Sequence, residues 1–187
     1  MIVTLAVRVL QVLFSIVVLA LSVVLIKGWG PETGGHEKPT EEALKGYGAF
    51  CGGAGILIAV VGVVACFIEK LQGIVILALD AVASFFLLAG GIAYAAKVGV
   101  GNCGDITKDS TIDSYMGKHL NMFRSSKYKD YDGNAEQRFQ KSLDDIGSRC
   151  RIFQAETAFL WFMSVCFVVT LALTFLSRSG KRGGAMV

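Results

Sequence analysis

Four long apolar segments, separated by polar stretches, dominate the pattern of this chain. They cover residues 2–26, 47–68, 71–96 and 157–176. Each has roughly the 20 apolar residues that a helix needs to cross about 30 Å of hydrocarbon. None alternates between apolar and polar residues with a period of two, which argues against a membrane β-barrel. The pattern therefore predicts an all-α membrane protein, a four-transmembrane-helix bundle forming one domain over residues 1–177.

The first apolar segment has a second interpretation, as a signal peptide. Its apolar run, residues 9–26, is interrupted only by Gln11 and two serines and is longer than the apolar core of most signal peptides. It ends in Lys27-Gly28-Trp29, with no pattern of small residues for cleavage. We therefore expect this segment to remain as a membrane span.

The predicted connections differ in length and composition. Residues 27–46 are rich in glycine and contain two prolines, which is typical of a loop. Glu69 and Lys70 alone join spans two and three, which predicts an antiparallel hairpin. Residues 97–156 form a long polar loop, and its second half predicts an amphipathic helix that continues into span four. The apolar residues of that helix are Phe139, Leu143, Ile146, Cys150 and Phe153.

Composition strengthens the membrane assignment. Of the 187 residues, 53% are hydrophobic and 18% are charged, and the mean hydropathy is +0.58. Soluble domains carry a larger charged fraction and distribute it along amphipathic elements, whereas here the charges are confined to the connections and the tail. The net charge of +3 comes without a basic stripe among aromatic residues, so we expect no nucleic-acid partner.

Two cysteines suggest how the chain is oriented. Cys103 and Cys150 lie at opposite ends of the long loop, and neighbouring helix ends are about 8–10 Å apart, so a disulfide is within reach. A disulfide requires an oxidising compartment. This places loops 27–46 and 97–156 outside the cell and both termini in the cytosol. Two free thiols in a cytosolic loop are the alternative, and the distribution of basic residues does not decide between them.

Arg8 and Asp80 are ionisable residues inside apolar segments. Spans one and three start on the same side of the membrane, so the two side chains lie at similar depth, and Gln11 is one turn from Arg8. Because a buried carboxylate in a membrane usually has a partner, we expect an internal polar site formed by these three residues. In the alternative interpretation, Arg8 extends to the lipid headgroups and Asp80 is protonated or bonds to a hydroxyl. We expect Glu156 at the membrane surface, facing Lys27 or Lys97.

Span two contains a helix-packing face of small residues, formed by Gly48, Gly52, Gly55 and Ala59. Small residues spaced by four allow helix backbones to approach closely in lipid. This face either packs within the bundle or mediates lateral association with another protein. The C-terminal tail, residues 178–187, carries Arg178, Lys181 and Arg182, which we expect to contact anionic lipid headgroups.

No motif predicts catalysis. Residues 99–104 match the glycine spacing of a dinucleotide-binding turn, but they follow a membrane helix where such a site needs a strand. The sequence shows no cluster with metal-ligand spacing and no nucleophile motif. We therefore predict no enzymatic activity, no cofactor and no metal site.

The order of these features resembles the MARVEL domain, and most closely the fungal MARVEL-type proteins that include non-classical-export and eisosome-associated members. The matching blocks are residues 10–14, 67–69, 77–81, 89–91, 150–151 and 155–162. Loop 27–46 is longer than the resemblance leads one to expect. The resemblance implies a plasma-membrane or secretory-pathway protein that organises lateral membrane domains, with lipids, other membrane proteins or further copies of itself as partners. The alternative function is a small transporter, a channel or an accessory subunit that uses Arg8 and Asp80.

Overall fold

The structure, a computed structural model, describes residues 2–27, 39–67, 74–104, 115–123 and 132–183. Its five helices are α1 (Ile2–Lys27), α2 (Pro39–Phe67), α3 (Ile74–Val98), α4 (Tyr115–Phe123) and α5 (Ala135–Gly183). All except α4 are long and apolar enough to cross a membrane. The predicted fold class, an all-helical membrane protein with four spanning helices, is confirmed.

The four long helices form an antiparallel bundle. Helix α1 packs against α2 and α5, and α3 packs against α5 and α2, so the helices follow one another around a ring. We call the end at which α1 and α3 finish the loop side of the bundle. The opposite end, where α1 and α3 begin, is the terminus side.

The bundle has an apolar outer surface and an interior in which polar residues lie among apolar ones. Only 28% of the most apolar window of α1 is buried, although that window is the most hydrophobic of the four. The buried positions of α1 are mostly polar: Arg8, Gln11, Ser15, Val18, Ser22 and Leu25. An outer surface of exposed valine, leucine and phenylalanine suits hydrocarbon, where side chains gain nothing by leaving an apolar solvent.

The structure corrects the predicted helix boundaries. Residues 39–46 were predicted as loop but form the first two turns of α2, which opens with Pro39. Proline is favoured in the first helical turn because its missing N–H has no partner to lose there. In the tail, residues 178–183 continue α5 as helix. The predicted turn at Glu69 and Lys70, residues 184–187, and the side chains of the basic tail lie outside the described part of the chain.

The amphipathic helix predicted before span four is confirmed and is continuous with that span. Helix α5 has 49 residues, and its first half buries Ile146, Cys150 and Phe153 while Phe139 remains 42% exposed. Helix α3 ends at Gly99, whose positive φ of 63° is the left-handed conformation that glycine adopts readily after a helix. This turn brings residues 101–104 against α5.

Helix α4, which the sequence did not predict, covers the loop side of the bundle. Its residues Met116, Met122 and Phe123 are buried, and the Tyr115 hydroxyl donates to the Val98 carbonyl oxygen at 2.6 Å. The Phe123 ring lies 5.7 Å from Phe153 of α5. We call α4 together with residues 101–104 the cap.

Candidate functional site

The first candidate site is a buried ion pair near the terminus side. The two terminal nitrogens of Arg8 donate to the two carboxylate oxygens of Asp80, at 2.7 and 2.6 Å. Arg8 is 2% exposed and Asp80 is fully buried. The paired geometry matches the planar guanidinium to the planar carboxylate and gives two charge-assisted hydrogen bonds. The structure thus brings together the two charges that the sequence placed at equal depth.

Gln11 connects the ion pair to α5. Its side-chain oxygen accepts a hydrogen bond from Arg8 at 3.1 Å, and its amide donates to Thr170 Oγ1 at 2.9 Å. We call Arg8, Gln11, Asp80 and Thr170 the terminus-side cluster. It joins α1, α3 and α5 by polar contacts alone.

Helix α2 approaches the same cluster through a glycine. A Cβ atom at Gly62 would come within 2.6 Å of the Arg8 guanidinium carbon. The guanidinium therefore lies directly against the α2 backbone, and any side chain at residue 62 would compete with it. All four spanning helices therefore meet at the terminus-side cluster.

A second cluster lies near the loop side and corrects the sequence interpretation of Glu156. This residue was predicted at the membrane surface facing Lys27 or Lys97, but it is fully buried and hydrogen-bonded to the Ser22 hydroxyl. The prediction was wrong because α5 begins at Ala135, so residue 156 lies well inside a continuous helix and turns inward. We call Ser22, Tyr94 and Glu156 the loop-side cluster.

The loop-side cluster also depends on a glycine of α2. A Cβ atom at Gly48 would collide with Glu156 Oε1, the Tyr94 hydroxyl and Ser22 Oγ, so these atoms converge in the space that glycine leaves open. The Tyr94 hydroxyl also donates to the Leu44 carbonyl oxygen at 2.9 Å. Glu156 Oε2 has no hydrogen-bond partner among the described residues. The centroid of the Tyr94 ring lies 6.4 Å from that of Phe153. Phe153 is in turn covered by the cap.

An apolar layer separates the two clusters. Arg8 and Ser22 are 14 positions apart, or about 21 Å along a helix. Between the clusters, Val18 of α1 and Leu160 of α5 are fully buried, and the Met163 sulfur lies 2.9 Å from Ser15 Oγ. The bundle axis is thus polar at two depths and largely apolar between them.

The small-residue face of α2 packs inside the bundle. A Cβ atom at Gly52 would come within 2.7 Å of the Leu19 backbone nitrogen, and one at Gly55 would meet the Ser15 hydroxyl. Ala59 is fully buried. Of the two interpretations of this face, packing within the bundle fits the structure. Helix α1 covers the face along its length, so its residues are not available for lateral association: Gly48, Gly52, Gly55 and Ala59.

The predicted disulfide is present on the loop side. Cys103 and Cys150 are joined, with their Cα atoms 5.7 Å apart. Beside the disulfide, the Gln154 amide donates to the Gly101 carbonyl oxygen at 2.8 Å, and the Tyr115 ring occupies the space where a side chain at residue 101 would be. The disulfide therefore holds residues 101–104 against α5, and the contact of these residues with Tyr115 connects α4, the other part of the cap, to the same helix.

Within the described ranges, no three metal-binding side chains cluster. The sequence analysis had missed Ser15, Ser22, Tyr94 and Glu156 as members of an internal polar set. A signal for part of it was available: the polar residues of α1 stand at positions 8, 11, 15 and 22, a spacing of three, four and seven that keeps them on one helix face.

The fold and its buried clusters define a four-helix transmembrane protein with two clusters of hydrogen-bonded polar side chains inside the bundle. The chain belongs to the MARVEL family, described as a membrane-associating domain, which matches residues 2–173. No curated protein and no solved structure matches the chain.

Proposed function

We propose that this protein is a non-enzymatic organiser of lateral membrane domains that associates with lipids and with other membrane proteins or further copies of itself. The observation that carries the proposal is the distribution of side chains. Polar residues inside the bundle bond to one another and to the helix backbones, while exposed aromatic and aliphatic side chains cover its outside. Such a molecule acts on its surroundings through its lipid-facing surface.

The seam between α2 and α3 is the surface we propose for these contacts. Phe50 and Phe85 are 55% and 69% exposed, and Phe86 links them, with ring centroids 6.2 Å from Phe50 and 5.8 Å from Phe85. Exposed aromatic rings offer flat, rigid area for contact with acyl chains or with another helix. The small-residue face of α2 is excluded from this role because it is buried against α1.

The test compares clustering of the tagged protein in its native membrane with that of a Phe50→Leu/Phe85→Leu variant. We expect the native protein to concentrate in patches and to co-purify with other membrane proteins in mild detergent. In the variant, both the clustering and the co-purification should be reduced. Leu57→Val, at a position that is 69% exposed on the same helix, is the control. Uniform distribution of the native protein with no co-purifying partner would reject the proposal.

On the residues of its six matching blocks we place the protein with the fungal MARVEL-type members, in the plasma membrane with cytosolic termini. The buried Arg8–Asp80 pair supports a second candidate, a small transporter or accessory subunit with an intramembrane site. The apolar layer at Val18 and Leu160 argues against it. The discriminating measurement is flux that disappears in Asp80→Asn while the protein still inserts.

A further inference from the structure

A polar cleft opens beside the disulfide on the loop side. Its volume is about 350 Å³, and its walls include Cys103, Gly104, Asp144, Gly147, Ser148 and Arg151. Cys103 lines this cleft and is 7% exposed, whereas Cys150 is fully buried. Of the two cysteines of this disulfide, Cys103 is therefore the one next to the cleft.

We propose that this cleft admits a thiol and that the Cys103–Cys150 disulfide is a reducible staple of the cap. A thiolate attacks the Cys103 sulfur, the S–S bond breaks, and its electron pair leaves on Cys150, which takes a proton from water. A second thiol attacks the resulting mixed disulfide, which releases Cys103 as a thiol and the reductant as its own disulfide. The reductant is a small thiol or a protein dithiol.

The charges and walls of the cleft fit this reaction. Arg151 is one of the residues that line the cleft, and a nearby cation favours the thiolate form of an entering thiol. Asp144 brings the opposite charge. Gly104 and Gly147 carry no side chains, which leaves bare backbone around the sulfur.

Cleavage of the staple would loosen the cap. The 101–104 turn is held to α5 by the disulfide and by the hydrogen bond from Gln154, and it contacts α4 through the Tyr115 ring. Without the disulfide, the turn loses its covalent attachment to α5, while the hydrogen bond from Gln154 and the packing of Tyr115 do not depend on it. Cys51, which is 2% exposed, lies one turn after Gly48 on the side away from the cap, so a water-soluble reagent reaches it from the loop side only when the cap and the loop-side cluster open.

The first experiment treats the full-length protein in phospholipid nanodiscs with reduced glutathione, or with thioredoxin, and follows the disulfide by peptide mapping. We expect reduction without denaturation and a trapped glutathione adduct on Cys103. Ser148→Trp, which fills the cleft from an exposed position, should slow reduction at least tenfold with an unchanged melting temperature. Gln137→Trp, exposed about three turns earlier on the same helix, should leave the rate unchanged.

Reduction only after denaturation, an adduct on Cys150, or equal rates in the two tryptophan variants would each overturn the proposal.

The second experiment uses Cys66→Ala/Cys166→Ala and measures alkylation of Cys51 by a water-soluble maleimide, identified by mass spectrometry, before and after reduction. We expect labelling to rise at least fivefold. Unchanged labelling of Cys51 would mean that the disulfide does not hold the cap, and this result would also overturn the proposal.

Discussion

Single residues in this protein are stable inside the membrane only because of their partners. Arg8 and Asp80 are both buried away from water. Inside the membrane a lone charge costs at least several kcal/mol. The paired hydrogen bonds and Gln11 offset that cost for the pair, not for either residue alone. The ion pair therefore specifies how the helices meet more than it adds net stability.

Removing one partner of the ion pair should be far more damaging than removing both. In Asp80→Ala the Arg8 guanidinium stays buried without its counter-charge, and we expect the free energy of unfolding to fall by about 3–5 kcal/mol. The double variant Arg8→Met/Asp80→Leu should recover most of that loss. Denaturant titration in detergent measures both, with Val9→Ala, at a position 47% exposed, as control. Equal losses in the single and double variants would contradict the argument.

The residues differ in how far the sequence predicted them. Arg8 and Asp80 could be paired because equal depth follows from equal distance to the start of two parallel spans. Glu156 could not be placed, because its position depends on where α5 begins and on its rotation about the helix axis. Hydropathy marks the apolar part of a helix and does not show how far the helix extends into the polar sequence before it.

At the scale of elements, the contact between α1 and α2 is the closest in the bundle. Gly52 lies directly on the backbone of Leu19, and Gly48, Gly55 and Gly62 make room for the polar side chains of the core. Small residues have two consequences here: the helices approach closely, and polar groups fit between them. The sequence revealed the small-residue face but not which helix covers it.

Two adjacent glycines of α2 should respond differently to alanine. In Gly52→Ala the new methyl group meets the Leu19 backbone, which cannot rotate away, so we expect a loss of about 1–3 kcal/mol in unfolding free energy. In Gly53→Ala the methyl group enters open space, and helix propensity predicts no loss or a gain of up to about 1 kcal/mol. Thermal unfolding of both variants in one detergent tests this. Similar melting temperatures would show that the approach of α1 and α2 is looser than described.

Helix α4 should depend on one ring. In Phe123→Ala the cap loses its contacts with Phe153 and Tyr115, and we expect amide hydrogen exchange in residues 115–123 to rise at least tenfold while α1 is unaffected. Leu120→Ala, at a position 41% exposed on the same helix, should change little. The sequence analysis missed α4 because nine residues are too few for the spacing of apolar positions to distinguish a helix from a loop. Its stability comes from packing against α5, as expected for so short a helix.

At the scale of the whole molecule, the outer surface is apolar where that of a soluble bundle would be polar, and the interior combines an apolar core with two polar clusters. The class of fold was predictable because about 20 apolar residues are the physical requirement for a crossing. The two polar clusters were predictable only in part, since burial inside a bundle depends on how each helix rotates against its neighbours. The side of the membrane on which each connection lies still rests on the need of a disulfide for an oxidising compartment.

Labelling from the two sides of the membrane tests that orientation and the crossings together. We replace Cys51, Cys66 and Cys166 by alanine and introduce Asn134→Cys on the loop side or Phe67→Cys on the terminus side. Both positions are exposed, and the loop-side disulfide is retained. With cytosolic termini, a membrane-impermeant maleimide should label Asn134→Cys in intact cells and Phe67→Cys only after permeabilisation. The opposite pattern would reverse the orientation. Labelling of both sites in intact cells would contradict the antiparallel crossing itself, because α3 is the spanning helix between the two sites along the chain and places them on opposite sides of the membrane.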